Sequence, residues 1–268
     1  MSNVWVIGDG TPAYEIAKLA QNAGHLVFTS FVDEKGNPDE LIYEQPRWGF
    51  APFTRRPETN PDVIIEAIIK KSQKLTAWRG YAVELQKKLT DTSMLVSTLS
   101  ASATEISAWV ARTKMVPRQN IIGWATLPPM EHSSAIELLP TQFSNERVLN
   151  LAKEFFTSLG KEPVIIKDCV GGVLPRVVAS LINNAAYALM EGVASAADID
   201  IAMKLGTNYP YGPLEWADKI GLDQVLGILE ALCETYGEDR YRPAPILRQL
   251  VYAGHWGERT GCGFYEYL

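Results

Sequence analysis

The turn Gly8-Asp9-Gly10-Thr11-Pro12-Ala13 follows directly on the apolar run Val4-Trp5-Val6-Ile7. It fits the pattern GxGxxA. The first glycine permits a tight turn. The second lets a pyrophosphate approach the backbone, and the N-terminus of the next helix attracts that anion. Pro12 is tolerated in a first helical turn, where its missing N–H has no intrahelical partner. Gly8, Gly10, Thr11 and Ala13 are therefore candidates to hold a dinucleotide such as NAD. Two features run against this. Asp9 puts a carboxylate into the cradle and raises the cost of holding a dianion. The acid expected at the end of the second strand is also missing from Thr29, Ser30 and Phe31; Asp33 and Glu34 serve only if that strand ends late. A Rossmann-type sheet with a disused nucleotide site is the alternative, and it stays open.

Proton-transfer chemistry needs a base that titrates near neutrality, which points first to histidine. There are three. His25 follows Gly24 at a strand start and reads as structural, and His255 has no reaction geometry around it. His132, in Glu131-His132-Ser133-Ser134, is the one candidate base, against the plainer reading of an exposed loop residue. Glu137, in the apolar run Ile136-Glu137-Leu138-Leu139, is the candidate acid. Arg55-Arg56 and Trp48 could meet an anion, or simply line a solvated loop. Cys169, Cys233 and Cys262 are far apart with no CxxC, which suggests neither a disulfide framework nor a zinc site.

The elements that position these residues follow from periodicity. Short apolar runs at 4–7, 26–28, 63–65, 94–96, 121–124, 136–139 and 164–166 read as buried strands. Helical spacing separates them at 13–22, after the third strand to about Leu89, at 104–111 and at 144–159, the last with Ser144 as its expected N-cap. Residues 34–61, rich in Pro, Gly and Asn, read as a long loop. Strands alternating with helices imply an α/β, doubly wound parallel sheet of Rossmann type over residues 1–170. After Gly171-Gly172 the pattern is helical only, at 173–193, 197–204, 223–236 and 244–253. Residues 171–268 thus form an all-α C-terminal domain, and its broad apolar faces suggest burial in a homodimer.

The chain has 268 residues, 47% apolar and 21% charged, with net charge −6. That acidity argues against nonspecific nucleic-acid binding, which needs a cationic surface. No stretch is long and apolar enough to cross a bilayer, and no basic-apolar leader precedes Val4. The expected location is the reducing cytoplasm.

From residue 160 onward the sequence resembles the 3-hydroxyacyl-CoA dehydrogenase family. The matching segments are Gly160-Lys161-Glu162-Pro163-Val164, Glu191-Gly192-Val193-Ala194-Ser195, Asp198-Ile199-Asp200 and Ala202-Met203-Lys204-Leu205-Gly206. They continue with Gly212-Pro213-Leu214-Glu215, Gly221-Leu222-Asp223, Arg240-Tyr241-Arg242-Pro243-Ala244-Pro245 and Thr260-Gly261-Cys262-Gly263-Phe264-Tyr265. The front half matches in outline: the glycine turn, Gly24-His25, Ile65-Glu66-Ala67, Ser97-Thr98, and Gly123 with Pro129. The resemblance implies a nicotinamide domain with Glu66 among its cofactor residues, a helical dimerisation domain, and an acyl-thioester substrate. It implies an oxidoreductase of fatty acid metabolism that passes hydride from a 3-hydroxyacyl-CoA to NAD.

The same resemblance carries over the family's histidine, serine, asparagine and glutamate. The histidine position falls on Ala125, the serine on Leu99, the helix-start asparagine on Pro175, and the orienting glutamate on Glu137. Only the glutamate is present. Leu99, Trp124, Ala125 and Pro128 would make the old site apolar, suited to an acyl chain and unable to stabilise an alkoxide. The family's long hairpin between its second and third strands, which helps hold CoA, shrinks here to the loop 34–61. Two functions therefore stand side by side. One is an NAD-dependent enzyme of 3-hydroxyacyl or 3-oxoacyl thioesters using altered residues. The other is a catalytically silent pseudoenzyme that binds a hydrophobic or acyl ligand or supports a partner subunit.

Overall fold

The computed structural model describes residues 1–32, 54–55, 60–85, 89 and 91–267. Most of the loop expected at 34–61, with Asp33, Glu34, Trp48 and Arg56, lies outside the described residues. The chain forms two compact units. One holds residues 1–126 and 130–172, the other residues 127–129 and 173–268.

The first unit is built on one sheet. Its strands are β1 (Asn3–Gly8), β2 (Leu26–Phe31), β3 (Thr54–Arg55), β4 (Val63–Ala67), β5 (Ser93–Ser97), β6 (Ile121–Ala125), β7 (Ala135–Pro140) and β8 (Glu162–Ile165). Their order across the sheet is β3-β2-β1-β4-β5-β6-β7-β8. The helices are α1 (Gly10–Asn22), α2 (Lys71–Leu85), α3 (Ala103–Thr113) and α4 (Glu146–Ser158).

Side chains alternate across the strands, so each face gathers its own core. Val4, Val6, Ile65, Leu95, Ile122, Trp124 and Leu138 pack under α1 and α4. Trp5, Ile7, Ile64, Met94, Val96 and Ile121 pack under α2 and α3. Apolar residues on both faces are what a sheet covered on both sides requires.

The structure corrects the expected elements in three places. β7 runs antiparallel to β6, although every other described pairing is parallel. An apolar run reports burial and carries no information on direction. Asn145, not Ser144, caps α4 by accepting from Val148 N–H at 2.8 Å. Ser144 instead donates to Ile121 O at 2.6 Å and ties the helix approach to β6. β3 (Thr54–Arg55) pairs with β2 inside the stretch expected as a loop.

The second unit consists of α5 (Leu174–Met190), α6 (Ala196–Thr207), α7 (Pro213–Ile220), α8 (Leu222–Tyr236) and α9 (Pro245–Tyr252). α7 was not expected, because its eight residues are too few to show a clear period. No described helix is long and apolar enough to cross a membrane.

Candidate functional site

The glycine turn sits where β1 gives way to α1. A Cβ on Gly8 would lie 2.7 Å from Ala13 Cβ and 2.8 Å from Ala67 O, so only glycine lets the helix rest on the sheet. Gly10 has φ +60°, the left-handed region that glycine enters without strain. Asp9 stands at the N-cap but its side chain does not cap the helix, and the first turn holds no acid. Its Oδ1 accepts from Ile69 N–H at 3.1 Å. The glycine at Gly10 and a first helical turn without an acid fit a dinucleotide phosphate, and the Asp9 carboxylate at the N-cap is engaged with the β4–α2 turn. At the end of β2, Ser30 accepts from Trp5 Nε1 at 2.9 Å and Thr29 is buried.

Beside this turn, at the end of β4, Glu66 is fully buried against Lys74 of α2. Lys74 Nζ donates to Glu66 Oε1 at 2.7 Å, to Oε2 at 2.8 Å and to Ser97 O at 2.9 Å. Glu66 also accepts from Ile68 N–H at 2.6 Å and Ser97 N–H at 3.2 Å. The pair joins the ends of β4 and β5 to α2. Burial pushes the Glu66 carboxyl up and the Lys74 amine down, while each partner's charge pulls the other back. A direct contact from Glu66 to a nucleotide would have to break this pair. Nothing in the local sequence marks Lys74, eight positions after Glu66, as its partner.

Two strands further on, Ala125 and Glu137 stand opposite each other across β6 and β7. Alternation puts both on the α2–α3 face. Ala125 is 1% and Glu137 8% exposed. Gly172 lies against both. A Cβ there would overlap a Glu137 carboxylate oxygen and approach Ala125 Cβ to 3.0 Å, and the residue has φ +57°. Gly171 N–H donates to Thr98 O at 2.7 Å and pins this segment to the end of β5. The sequence marked Gly171-Gly172 only as a junction; the close approach to Glu137 is its structural reason.

Leu99 is buried at the same strand edge. Trp124 is not part of an apolar site there. Its ring packs on Phe156 at 6.0 Å between centroids, and its Nε1 donates to Glu66 O at 3.1 Å. Pro128 and Pro175 belong to the helical unit. Pro175 occupies the first turn of α5, where a proline is at ease. Pro128 O accepts from Trp216 Nε1 at 3.4 Å. The hydroxyls of Ser100 and Thr126, both buried, have no hydrogen-bond partner among the described residues.

His132 is 58% exposed and lies 3.3 Å from the still more exposed Glu131. His25 is structural: its Nδ1 accepts from Ser2 N–H at 3.3 Å, and its Nε2 meets Ser158 Oγ at 2.8 Å. The residues before His132 are clamped from two sides. Met130 N–H donates to Glu15 Oε2 at 2.8 Å, and Lys161 Nζ donates to Met130 O and to Ser133 O. Burial pushes the Glu15 carboxyl up to about 7. Among the described residues no group of His, Cys, Asp and Glu could hold a metal ion.

Comparison with known proteins places the chain. The model for the 3-hydroxyacyl-CoA dehydrogenase NAD-binding domain matches residues 54–169. The model for the C-terminal domain of the same enzymes matches residues 171–267. A probable 3-hydroxybutyryl-CoA dehydrogenase of Bacillus subtilis is 36% identical over 207 residues, 77% of this chain and 69% of its own length. The mitochondrial hydroxyacyl-coenzyme A dehydrogenase of Sus scrofa is 30% identical over 300 aligned positions, spanning 100% of this chain and 91% of its own. The crystal structure of (S)-3-hydroxybutyryl-CoA dehydrogenase from Ralstonia eutropha has a TM-score of 0.71 at 26% identity, covering 99% of this chain and 98% of its own.

Proposed function

Because the chain belongs to the 3-hydroxyacyl-CoA dehydrogenase family, we propose that it binds NAD and a 3-hydroxyacyl or 3-oxoacyl thioester and transfers hydride between them slowly. When bound, NAD supplies the hydride acceptor. The turn Gly8 to Ala13 holds its pyrophosphate through backbone N–H groups and the start of α1. Glu137 is the candidate acid–base group beside the end of β6.

The observation that carries the slow rate is the pairing of Ala125 with Glu137 under Gly172. A methyl group stands where the family resemblance places the proton acceptor. Loss of a positioned general base typically costs about 10²–10⁴ in rate. Leu99 and Pro175, at the serine and asparagine positions, supply no side-chain hydrogen bond to an alkoxide.

The test is fluorescence titration with NADH, followed by acetoacetyl-CoA reduction read at the nicotinamide absorbance band. The expected result is saturable NADH binding with turnover at least about 10²-fold below a family member that keeps the histidine. Absence of NADH binding removes the oxidoreductase reading and leaves the silent homologue, holding an acyl ligand or a partner subunit. Turnover at the ordinary family level would show that another group does the work of the missing base.

The helical unit is proposed to form a homodimer. Val173, Val177, Val193, Ile201 and Leu205 are more than half exposed on and beside α5 and α6, a surplus that isolated surface residues do not explain. Light scattering should give twice the 29.7 kDa chain mass, and Leu205→Glu should shift it toward monomer.

A further inference from the structure

The start of a helix is the positive end of its dipole, so acids are favoured there and cations are not. α2 inverts this preference. Lys70 precedes it, Lys71 and Lys74 lie at its beginning, and its first turn holds no acid. Lys70 stands at the helix start: its carbonyl accepts from Gln73 N–H at 3.1 Å and from Lys74 N–H at 3.2 Å. A local rule broken in this way points to a functional duty unless a neighbour offsets the charge.

Two of the three lysines are offset. Lys74 meets Glu66 inside the fold, and Lys71 Nζ lies 3.1 Å from Glu105 Oε1. Lys70 is exposed, and its side chain has no ion pair or hydrogen bond among the described residues.

Its place in the sheet unit suits an anion. β1 lies between β2 and β4, so the strand order reverses at the β1–β4 boundary. Ligands of open α/β sheets lie outside the carboxyl edge at such a point. Gly8 and Ala67 end β1 and β4 at the same level. Two residues on, Ile69 N–H donates to Asp9 Oδ1 at 3.1 Å and fastens the approach to α2 to the glycine turn. Lys70 is the next residue. The glycine turn also needs a cation. Asp9 brings a negative charge to it, and Pro12, in the first turn of α1, brings no N–H.

We infer that Lys70 is the cation that pairs with the dinucleotide phosphates, offsetting the charge of Asp9 and the missing N–H of Pro12. Its flexible stem and compact ammonium suit a phosphate approached as a point charge. The inference rests on the NAD reading above and adds to it a binding residue outside the glycine turn.

The experiment is fluorescence titration with NADH on the whole protein at low and high salt. Its variants are Lys70→Gln, Lys70→Glu, Lys70→Arg and Lys71→Gln, and the melting temperature of each is recorded. Lys70→Gln should weaken binding by about tenfold, the size of one lost charge-assisted hydrogen bond. Lys70→Glu should weaken it further, and Lys70→Arg should keep most of the affinity. The loss at Lys70 should shrink as salt rises, because an exposed charge is screened. Lys71→Gln removes the same charge from a lysine already engaged by Glu105, and should stay within about twofold. The melting temperature of Lys70→Gln should hold or rise, since a cation leaves the positive end of α2. Unchanged NADH affinity in Lys70→Gln would overturn the inference while leaving the NAD reading in place. An equal loss in Lys71→Gln would show a general field rather than a contact, with the same consequence. Wild type that binds no NADH would overturn both.

Discussion

The buried Asp200 and Asp218 of the helical unit and the buried Glu66 of the sheet unit are held in opposite ways. In the helical unit, Asp200 accepts from Leu214 N–H at 2.8 Å, Glu215 N–H at 2.7 Å and the Tyr265 hydroxyl at 2.8 Å. Asp218 accepts from Phe264 N–H and Tyr265 N–H, both at 2.9 Å, and from the Tyr267 hydroxyl at 3.0 Å. Neutral donors surround both. In the sheet unit, Glu66 meets a full cation, Lys74, with neither side chain exposed. Neutral donors around a carboxylate stitch segments together and leave the charge in place. A buried cation cancels the charge and makes each partner depend on the other. Asp200 and Asp218 thus help to hold residues 264–267, whereas the sheet unit has locked an acid and a lysine together beside its glycine turn.

The sharpest way to break this comparison is to remove Lys74. Lys74→Met leaves Glu66 in a dry site with no counter-charge, and such a loss costs about 3–5 kcal/mol. Urea unfolding should show it. The double variant Glu66→Gln with Lys74→Met should recover most of the loss, since no charge is then left unpaired. A single-variant loss under about 1 kcal/mol, the size of an exposed pair, would show that water reaches the site.

Asp218→Ala is expected to cost less, about 2–3 kcal/mol. The released N–H groups are those of Phe264 and Tyr265, in an irregular segment outside the helices that can turn them to water. The loss should therefore be local, with faster amide exchange at residues 263–267 and unchanged protection in β1 and β4. Global unfolding equal to that of Lys74→Met would erase the distinction between the two ways of burying an acid.

This contrast also explains what the sequence made legible. Gly212, Gly263 and Asp200 stand out in the family-like motifs because each has a local steric or hydrogen-bonding duty. A Cβ on Gly212 would run into Asp200, and one on Gly263 into Asp218. The strands of the sheet unit were readable for the same kind of reason, since burial on both faces leaves unbroken apolar runs. The direction of β7 was not readable, because an antiparallel strand with both faces covered carries the same composition. Nor was the Glu66–Lys74 pair, whose partners meet only once α2 folds back over β4. Trp124 could not be assigned to core or site without knowing which face of β6 Phe156 covers. Ser144 and Asn145 are both good caps, and only the pull of Ile121 O on Ser144 decides between them.

The position of Ala125 gives a smaller effect. Ala125→His puts an imidazole beside Gly172 and Glu137, where a methyl group now fills the space. Overpacking of this kind costs about 1–2 kcal/mol. Turnover of acetoacetyl-CoA should rise little, because the neighbouring Leu99 provides no supporting hydrogen bond. Full family-level activity from this one substitution would show that the old site needed only its base.

Glu15 tests the sheet unit through pH. Its folded pKa of about 7 lies above its ordinary 4.5. Between those values the folded chain holds the proton more tightly than the unfolded chain, so this group's stabilisation falls as pH rises through the window. Burial is the main cause, reinforced by Glu131 and opposed by Met130 N–H, Lys161 and Lys18. Glu15→Gln keeps an oxygen for Met130 and removes the titration. It should be more stable than wild type by about 1 kcal/mol at pH 8, after allowance for partial solvent exposure. The gap should close near pH 5. A gap that grows on acidification would reverse the sign and show that the carboxylate form is the one the fold prefers.

His132 completes the series with the smallest effect. Its ring is mostly in solvent and its neighbour Glu131 is more exposed still, so the pair contributes little to stability. The clamp on this segment comes instead from Glu15 and Lys161, which hold the backbone of Met130 and Ser133. His132→Ala should change stability by less than about 0.5 kcal/mol and leave acetoacetyl-CoA reduction within about twofold of wild type. A loss of about 10²-fold, the size expected for a general base, would mean that this imidazole does the work missing at Ala125. The sheet unit would then have moved its base along the chain rather than lost it.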